Sequence, residues 1–219
     1  MKIKKFLIAN GNSTLLVWDC PLWERKQIIK TYLGKVEHLG FVSVQNGFPK
    51  LTMMGNELCI NAILALASQY STSGNLFMSG INEPIYYQNS DGKTFIEISL
   101  PYQKIKNVIL FSGIGFLLQY INVIKYSKEN LRYLCQRYNL PAFGVIYSIK
   151  NKIEPYVYVK ETNTLFRETA CGSGSIAFSI LTGYKDIIQP TGEIINVQKF
   201  GSRFTVSTKV VKIEERMNL

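Results

Sequence analysis

The stretch that most constrains the fold is Thr164-Leu-Phe-Arg-Glu168-Thr-Ala-Cys171-Gly-Ser-Gly-Ser-Ile-Ala177. It begins like a strand, and the residues from Ser173 to Leu181 predict an apolar helix that ends at Gly183. A similar stretch, Lys50-Leu-Thr-Met-Met-Gly-Asn-Glu57-Leu-Cys59-Ile-Asn-Ala-Ile-Leu-Ala65, leads into a predicted apolar helix at 61–70. Each cysteine therefore follows a strand and a glutamate and stands at the start of a helix.

These two stretches indicate an internal repeat. Cys59 and Cys171 are 171 − 59 = 112 positions apart, which is about half of the 219 residues. We therefore predict an α+β fold with two similar lobes, at residues 1–105 and 106–219, and leave the last strand free to return to the first lobe. Each lobe would present one thiol at the N-terminus of one helix.

The remaining chain alternates short apolar runs with turn residues, a pattern typical of many strands and few helices. Further helices are predicted at 24–33 and 128–138, and a turn at 113–115. Strands are predicted at 3–9, 14–18, 41–44, 50–54, 76–79, 85–88, 95–100, 108–111, 143–149, 156–159, 165–167, 193–197 and 204–211.

The composition is that of a folded chain with a sizeable core, because 47% of the residues are hydrophobic and 18% are charged. The apolar run near the N-terminus, Phe6 to Ala9, is shorter than the roughly 7–15 residues of an export signal. No stretch reaches the roughly 20 apolar residues of a membrane span. A cytoplasmic protein without a membrane partner is therefore expected.

The formal charge of +10 comes from 25 Lys and Arg against 15 Asp and Glu, and it is scattered along the chain. Zinc-finger spacing, a basic helix and an RNP-like strand are all absent, so nucleic acid is not expected as a partner. A basic surface instead favours small anionic ligands, such as the carboxylate of an amino acid.

The four cysteines, at 20, 59, 135 and 171, are widely separated and form no CxxC pair. A metal site is therefore not expected, nor is a disulfide in a cytoplasmic chain. Cys20 and Cys135 lack the repeated context and are predicted to be structural. His38 is the only histidine. It is also predicted to be structural, without forming a cysteine–histidine dyad.

A cysteine at a helix N-terminus is suited to acid–base chemistry. The unpaired N–H groups and the positive end of the helix dipole lower the pKa of the thiol, and they also bind carboxylates. Two such termini facing each other would hold an α-carboxylate with one sulfur on each face of the α-carbon, as racemisation by two bases requires. The residues that would support this site are Asn61 beside Cys59, and Gly172, Ser173 and Gly174 after Cys171.

Other interpretations of the same residues stay open. A cysteine at the start of an apolar helix is more often a packing residue, and the glycines after Cys171 also fit a plain strand-to-helix turn. Glu57 and Glu168 would orient a substrate ammonium or the neighbouring cysteine, or else lie in solvated turns.

The chain resembles the diaminopimelate epimerase superfamily in four segments that span most of its length. Glu168-Thr-Ala-Cys171-Gly-Ser-Gly174 is similar to the family's Ala-Cys-Gly-(Thr/Ser)-Gly motif and is the most specific of the four. Glu57-Leu-Cys59-Ile-Asn61-Ala is similar to its first Cys-Gly-Asn motif. Asn10-Gly-Asn12 resembles a strand turn whose Asn contacts substrate, and Gln189-Pro-Thr-Gly192 resembles a Gln-Pro-Gly-Gly turn.

This resemblance implies two pseudo-symmetric lobes, each a mixed sheet curled around a central helix. It also implies that Cys59 and Cys171 are catalytic, that Asn12 binds substrate and that no cofactor is needed. The chain is most similar to the histidine racemase branch, which serves opine-type metallophore pathways. Gly55-Asn56-Glu57-Leu58-Cys59-Ile60-Asn61-Ala62 resembles that branch's Gly-Asn-Glu-Phe-Cys-Gly-Asn-Ala segment, and Glu37-His38-Leu39-Gly40-Phe41-Val42 also fits it.

The sequence departs from the family at three places. Ile60 replaces a glycine and would reshape the substrate pocket or block it. Thr191 replaces another glycine in the late turn. Gly113-Ile-Gly-Phe116 stands where the epimerases have Gly-Asn-Pro-His, which removes a polar contact.

The resemblance implies a cofactor-independent racemase or epimerase that acts on a free amino acid by 1,1-proton transfer, with histidine the first candidate. A homodimer is an assembly that the sequence leaves open. One alternative is diaminopimelate epimerase itself, against which the absence of that enzyme's Glu-Arg-Gly segment counts. Another is a non-catalytic amino-acid-binding protein, which Ile60 and Phe116 favour. Isomerases of the phenazine-pathway type lack the cysteine pair and fit less well.

Overall fold

The structure is a computed structural model that describes residues 1–70, 72–120 and 126–213. Within these residues it contains four helices and 17 strands. The helices are α1 (Leu22–Tyr32), α2 (Ile60–Ala67), α3 (Lys128–Tyr138) and α4 (Gly172–Thr182). The strands are β1 (Lys2–Ile8), β2 (Asn12–Trp18), β3 (His38–Gln45), β4 (Phe48–Met53), β5 (Ser73–Met78), β6 (Ile85–Ser90), β7 (Lys93–Ser99), β8 (Tyr102–Ile105), β9 (Val108–Phe111), β10 (Ile114–Tyr120), β11 (Ala142–Ile149), β12 (Lys152–Val159), β13 (Thr164–Arg167), β14 (Asp186–Ile188), β15 (Ile194–Phe200), β16 (Arg203–Thr208) and β17 (Val210–Ile213).

The strands form a continuous mixed ladder. Neighbours pair in the order β17-β1-β2-β3-β4-β5-β6-β7-β16-β15-β14-β12-β11-β10-β9-β8, and β13 also pairs with β12. The pairs β2–β3, β4–β5, β10–β11 and β12–β14 are parallel, and the other pairs of the ladder are antiparallel. This sheet-rich architecture with few helices confirms the predicted α+β class.

The helices α2 and α4 hold the centre of the fold. Helix α2 packs against β1, β2, β3, β4, β6 and β7, whereas α4 packs against β10, β11, β15 and β16, and the two helices contact each other. All eight residues of α2 are buried. Each fully buried Leu or Ile contributes about 1.5–3 kcal/mol through the hydrophobic effect, so strand packing on all sides fixes this short apolar helix in place.

The helices α1 and α3 each cover a smaller apolar cluster. In α1, Ile28 and Tyr32 are buried. Helix α3 buries Leu131 and Cys135, and the Ser127 side chain caps its N-terminus. Its bounds are those predicted from the sequence, because its apolar spacing and capping residue are both local signals. Among the described residues, none of the helices combines the length and the apolar character that crossing a membrane requires.

The structure differs from the predicted elements at several places beyond residue 101. Strands β8, β10 and β14 were not predicted, and only Gly113 of the expected turn at 113–115 has positive φ, of 96°. Strand β10 starts at the next residue because β9 and β11 enclose it on both sides. The run 204–211 is two strands rather than one. The first of them, β16, pairs with β7 and β15, and the second, β17, pairs with β1.

Candidate active site

The two cysteines of the sequence repeat are the N-cap residues of α2 and α4. Both have an extended backbone, with φ and ψ of −132° and 98° at Cys59 and of −138° and 103° at Cys171. The Cys171 thiol also accepts a hydrogen bond from the Gly174 N–H at 3.2 Å. Equivalent backbone geometry therefore places both thiols at the starts of two helices that contact each other.

Side chains of each helix start cap the other helix. The Asn61 amide donates from Nδ2 to the Ala170 carbonyl at 2.8 Å and accepts at Oδ1 from the Gly172 N–H at 2.9 Å. In the opposite direction, the Ile60 N–H donates to Ser173 Oγ at 3.2 Å. The N–H groups of Ile60 and Gly172, which were expected to be free for a ligand, therefore donate to side chains of the protein. Asn61 and Ser173 join the helices as well as facing the site.

Ile60 lies in the seam between the helices and not in the cavity. It is fully buried, and a Cβ on Gly172 would come within 2.6 Å of its Cγ2 atom. Gly172 is therefore required for the close approach of α4 to α2. A Cβ on Gly174 would lie 2.9 Å from the Cys171 sulfur, so this glycine makes room for the thiol. Neither Ile60 nor Gly174 is among the described residues that line the cavity: Ile60 packs in the seam between the helices, and Gly174 lies against the Cys171 sulfur.

A small cavity of about 10 Å³ lies between the two thiols. A volume of that size holds roughly one water molecule. Its apolar walls come mainly from Leu58, Ile114, Val157 and Val159. The other lining residues are His38, Glu57, Cys59, Asn61, Glu168, Cys171, Gly172 and Ser173. Both sulfurs and three ionisable side chains therefore line one small, mostly buried space.

His38 belongs to this site, so the prediction of a structural histidine apart from the cysteines is wrong. Its Nε2 lies 3.2 Å from Glu168 Oε1, and the Cys59 thiol is within hydrogen-bonding range. Among the described residues, neither ring nitrogen has a well-directed hydrogen bond. Burial lowers the pKa of His38, but the charges of Cys59 and Glu168 outweigh burial and hold that pKa well above its ordinary value. The imidazolium form is therefore favoured.

The surroundings of Cys171 favour its thiol form. Burial raises the pKa of Cys171 well above its ordinary value, and the nearby Glu168 carboxylate raises it further. The hydrogen bond from Gly174 lowers the same pKa by less. The expectation that the helix N-terminus lowers the pKa is therefore wrong for this thiol, because desolvation and a like charge prevail.

Both glutamates of the repeat are buried, which excludes the solvated turns considered for them. Glu57 Oε2 accepts from the Gly55 N–H at 2.9 Å, and burial raises the pKa of its carboxyl group. Within the described residues, Glu57 Oε1 and Glu168 Oε2 have no hydrogen-bond partner. Unsatisfied buried acceptors are costly, so these two oxygens mark the place where a donor such as an ammonium group would bind.

Asn12 supports the site from outside the cavity. Its Nδ2 donates to Glu37 Oε2 at 2.8 Å, and the same carboxylate accepts from the N–H and hydroxyl of Thr169 at 3.0 and 2.6 Å. Glu37 precedes His38 and Thr169 follows Glu168 in the chain. The network therefore fixes the backbone beside both residues, and Asn12 is not among the described residues that line the cavity.

Gln189 is a positioning residue that the sequence analysis did not include among the site residues. Its Oε1 accepts from the Cys171 N–H at 2.9 Å, and its Nε2 donates to Ser175 Oγ at 2.9 Å. The sequence feature that could have indicated Gln189 is its position at the start of the late Gln-Pro-Thr-Gly turn, one of the segments that carry the family resemblance. His38 and Glu37 carried a similar signal, since their segment was one of those that carried the family resemblance.

The remaining cysteines lie apart from the cavity. Cys135 is buried in α3, where desolvation raises its pKa to about 11. Cys20 is partly exposed before α1. In the described part of the chain, no group of three or more His, Cys, Asp or Glu side chains is arranged to hold a metal ion.

Known proteins resemble the chain in sequence and in fold. No protein-family model matches it. It is 28% identical to a histidine racemase of Fusobacterium nucleatum subsp. nucleatum, over 83% of this chain and 84% of that protein. A histidine racemase from a second strain of that subspecies is 26% identical, over 83% of each.

Three solved structures share the fold at low sequence identity. A PhzF-family phenazine biosynthesis protein of Enterococcus faecalis superimposes with a TM-score of 0.61 and 12% identity, covering 96% of this chain and 95% of that one. A predicted epimerase from Pseudomonas aeruginosa has a TM-score of 0.61 and 9% identity, with 99% of both chains covered. A Clostridium difficile protein of the PhzC/PhzF type has a TM-score of 0.62 and 14% identity over 99% of both chains. The resemblance inferred from the motifs is confirmed.

Proposed function

We propose that this chain, similar in sequence to histidine racemases and folded like epimerase and PhzF-type proteins, is a cofactor-independent amino-acid racemase. Its substrate would be a free amino acid, histidine first, with proton transfer between Cys59 and Cys171. The observation that carries the proposal is the presence of both thiols, each at a helix start, in one buried cavity.

The two thiols would have different roles in the resting protein. The imidazolium of His38 stabilises negative charge on the Cys59 sulfur, which suits Cys59 to remove the α-proton. Burial and the Glu168 carboxylate keep Cys171 protonated, which suits it to deliver a proton to the opposite face. When one titratable group lies beside a cation and the other beside a carboxylate, the first can be assigned as the base and the second as the acid.

The remaining groups would hold the substrate. First-turn amides that other side chains leave unused, on Asn61 and Ala62 of α2 and Ser173 of α4, would bind the α-carboxylate and stabilise the charge that develops on it. The unpartnered oxygens of Glu57 and Glu168 would accept from the α-ammonium. Preorganised donors of this kind are worth about 3–4 kcal/mol each in a dry site.

The frame of this site would be two pseudo-symmetric lobes, at residues 1–105 and 106–219. The separate sets of strands that pack on α2 and on α4 support this division. Strand β17 would complete the first lobe from the second half of the chain, through its pairing with β1. Because the cavity is smaller than any amino acid, substrate binding would open the space between the helix starts and close it again.

The test is α-proton exchange by the reduced protein in deuterium oxide, with single L-amino acids and L-histidine first. NMR follows the loss of the α-proton, and chiral chromatography follows the D-enantiomer. Cys59→Ser and Cys171→Ser should each abolish inversion, because one-sided proton transfer cannot invert the centre. Cys135→Ser is the matched control and should leave inversion unchanged. Failure of every amino acid to exchange would refute the proposal.

A second candidate is a non-catalytic amino-acid-binding protein. The small volume of the cavity, about 10 Å³, favours it, because a whole amino acid does not fit in that space. Saturable binding of an amino acid without exchange would decide for this candidate. Diaminopimelate epimerase is disfavoured, since arginine does not occur among the described residues that line the cavity.

A further inference from the structure

Four reactive groups follow one another around the cavity. Cys59 is within hydrogen-bonding range of His38, whose Nε2 lies 3.2 Å from Glu168 Oε1. The Glu168 carboxylate is in turn within hydrogen-bonding range of the Cys171 thiol. These groups come from β3, from the segment before α4 and from the two helix starts, and all four are buried. They form a continuous path between the two sulfurs that does not pass through the substrate position.

Such a path answers a need that every two-base racemase has. When Cys59 takes the α-proton and Cys171 gives one, the protein ends as the Cys59 thiol and the Cys171 thiolate. Another molecule of the same enantiomer cannot react until this distribution is reversed. The ordinary route is exchange with water, but here the cavity holds room for roughly one water molecule.

We propose that His38 and Glu168 form an internal proton relay that returns the proton from Cys59 to Cys171 after each inversion. The proposal rests on the proposed racemase function and concerns how that function is reset. His38 would be a relay residue without substrate contact, whereas Glu168 would use Oε1 in the relay and Oε2 to hold the substrate ammonium.

The relay balances in protons and charge. The N–H bond of the His38 imidazolium that faces Glu168 breaks as its proton passes to the carboxylate. The resulting carboxylic acid protonates the Cys171 thiolate. The S–H bond of Cys59 then breaks as an N–H bond forms again on the neutral ring, which restores the imidazolium. The net result is a Cys59 thiolate and a Cys171 thiol, with His38 and Glu168 returned to their starting forms and nothing exchanged with solvent.

Two features of the surroundings suit the path to this task. The network of Glu37, Asn12 and Thr169 fixes the backbone beside both relay residues. His38 has no well-directed hydrogen bond to any described residue, and both the Glu168 carboxylate and the Cys59 thiol lie within reach of its ring. A structural histidine would instead be expected to have its nitrogens satisfied.

The experiment is rapid-quench analysis of D-histidine formation from L-histidine by the wild-type protein, His38→Gln and Glu168→Gln. Glutamine keeps the polarity of each site but cannot carry the proton. Glu97→Gln, which alters an exposed carboxylate paired with Arg203, is the matched control. Urea unfolding and circular dichroism establish that each variant is folded. The wild-type protein and the control should give linear progress at a rate independent of phosphate buffer concentration.

Without the relay, the first inversion needs no reset but every later one does. Each relay variant should therefore give a burst of about one D-histidine per active site. The following steady rate should be at least tenfold below the wild-type rate and should rise with phosphate concentration. Loss of a merely structural contact would slow the burst and the steady phase together.

Three results would overturn the relay. One is linear progress without a burst in the folded relay variants, and another is unchanged kinetics in them. The third needs no variant: a wild-type steady rate that rises with phosphate would show that reset already uses solvent. In all three, the wild-type protein inverts histidine and the proposed function survives. A wild-type protein that inverts no amino acid would instead refute both proposals.

Discussion

Replacement of Gly172 by alanine tests the seam between α2 and α4 directly. The new Cβ would lie 2.6 Å from Ile60 Cγ2 and 2.9 Å from Ile60 Cβ, whereas carbon atoms pack best at about 3.5–4.0 Å. The helix starts must therefore move apart by about 1 Å. Overpacking of this kind costs about 1–3 kcal/mol. The gain from removing a glycine, about 0.4–1 kcal/mol, offsets part of it. We expect a net loss of about 0.5–2 kcal/mol in the free energy of unfolding.

A double-mutant cycle assigns this loss to Ile60. Alone, Ile60→Ala should cost about 2–5 kcal/mol, because it leaves a cavity in the core. It also removes the Cγ2 atom that the new methyl group meets. Alanine at position 60 keeps the Cβ at 2.9 Å, so only part of the clash is relieved. Gly172→Ala should therefore be about 0.5–1 kcal/mol less destabilising in the Ile60→Ala protein than in the wild-type chain. Leu66→Ala provides the control, since Leu66 is buried on the same helix about 9 Å further along its axis.

Equilibrium unfolding in urea measures each free energy, and the comparison requires that the m-value stays constant across the set. The Leu66 cycle should be additive within about 0.5 kcal/mol. If Gly172→Ala costs the same with and without the Ile60 side chain, then the two residues do not meet. The position of Ile60 in the seam would then be wrong, and its place beside the substrate would have to be reconsidered.

Three further outcomes follow from the buried polar groups of the site. Asn61→Ala should destabilise the fold by about 2–4 kcal/mol in urea, since it leaves two buried partners at the α4 start unsatisfied. Asn82→Ala, at an exposed loop position, should change stability by less than about 0.5 kcal/mol. Because burial raises the pKa of Glu57 in the folded chain, the ionised carboxylate costs stability at neutral pH, and this cost disappears as the pH falls below the unfolded value. Glu57→Gln should therefore be more stable than wild type at neutral pH, with an advantage that shrinks on acidification; a constant difference across pH would contradict this. Titration of the native protein with a thiol reagent should modify Cys20 first and the three buried thiols only after unfolding, and Cys20→Ser should remove the early phase.

The features that the sequence predicted well are those with local causes. Helix α3 has a capping serine and amphipathic spacing within its own residues, so its bounds were predicted correctly. Cys59 and Cys171 were singled out because their helices are apolar along their whole length and follow strands. The short strand β14 was missed because it depends on pairing with β15, which follows it in the chain. Local pattern carries no information about such a partner.

The part of the site that could not be predicted is the part assembled from distant segments. Glu37 accepts from Thr169, 132 positions later in the chain, and only the packing of the second half against β3 brings them together. The sequence predicts a structural His38 because it is the only histidine and lies at a helix-to-strand junction, and neither feature indicates a thiol nearby. The parallel pairing of β2 and β3 turns the start of β3 toward the helix starts, where Cys59 and Glu168 meet it.

The unequal surroundings of the two thiols have a definite consequence for a reaction whose equilibrium constant is one. Enantiomers have equal free energies, so kcat/KM must be the same in both directions, whichever of the two thiols holds the proton in the resting protein. The imidazolium beside Cys59 and the carboxylate beside Cys171 favour one distribution of the proton. The enantiomer that needs the other distribution binds a minor form, which raises its KM by the inverse of that form's population. Its kcat must then be larger by the same factor. An asymmetric pair of thiols is therefore compatible with a symmetric reaction, provided that the proton can cross between them faster than turnover.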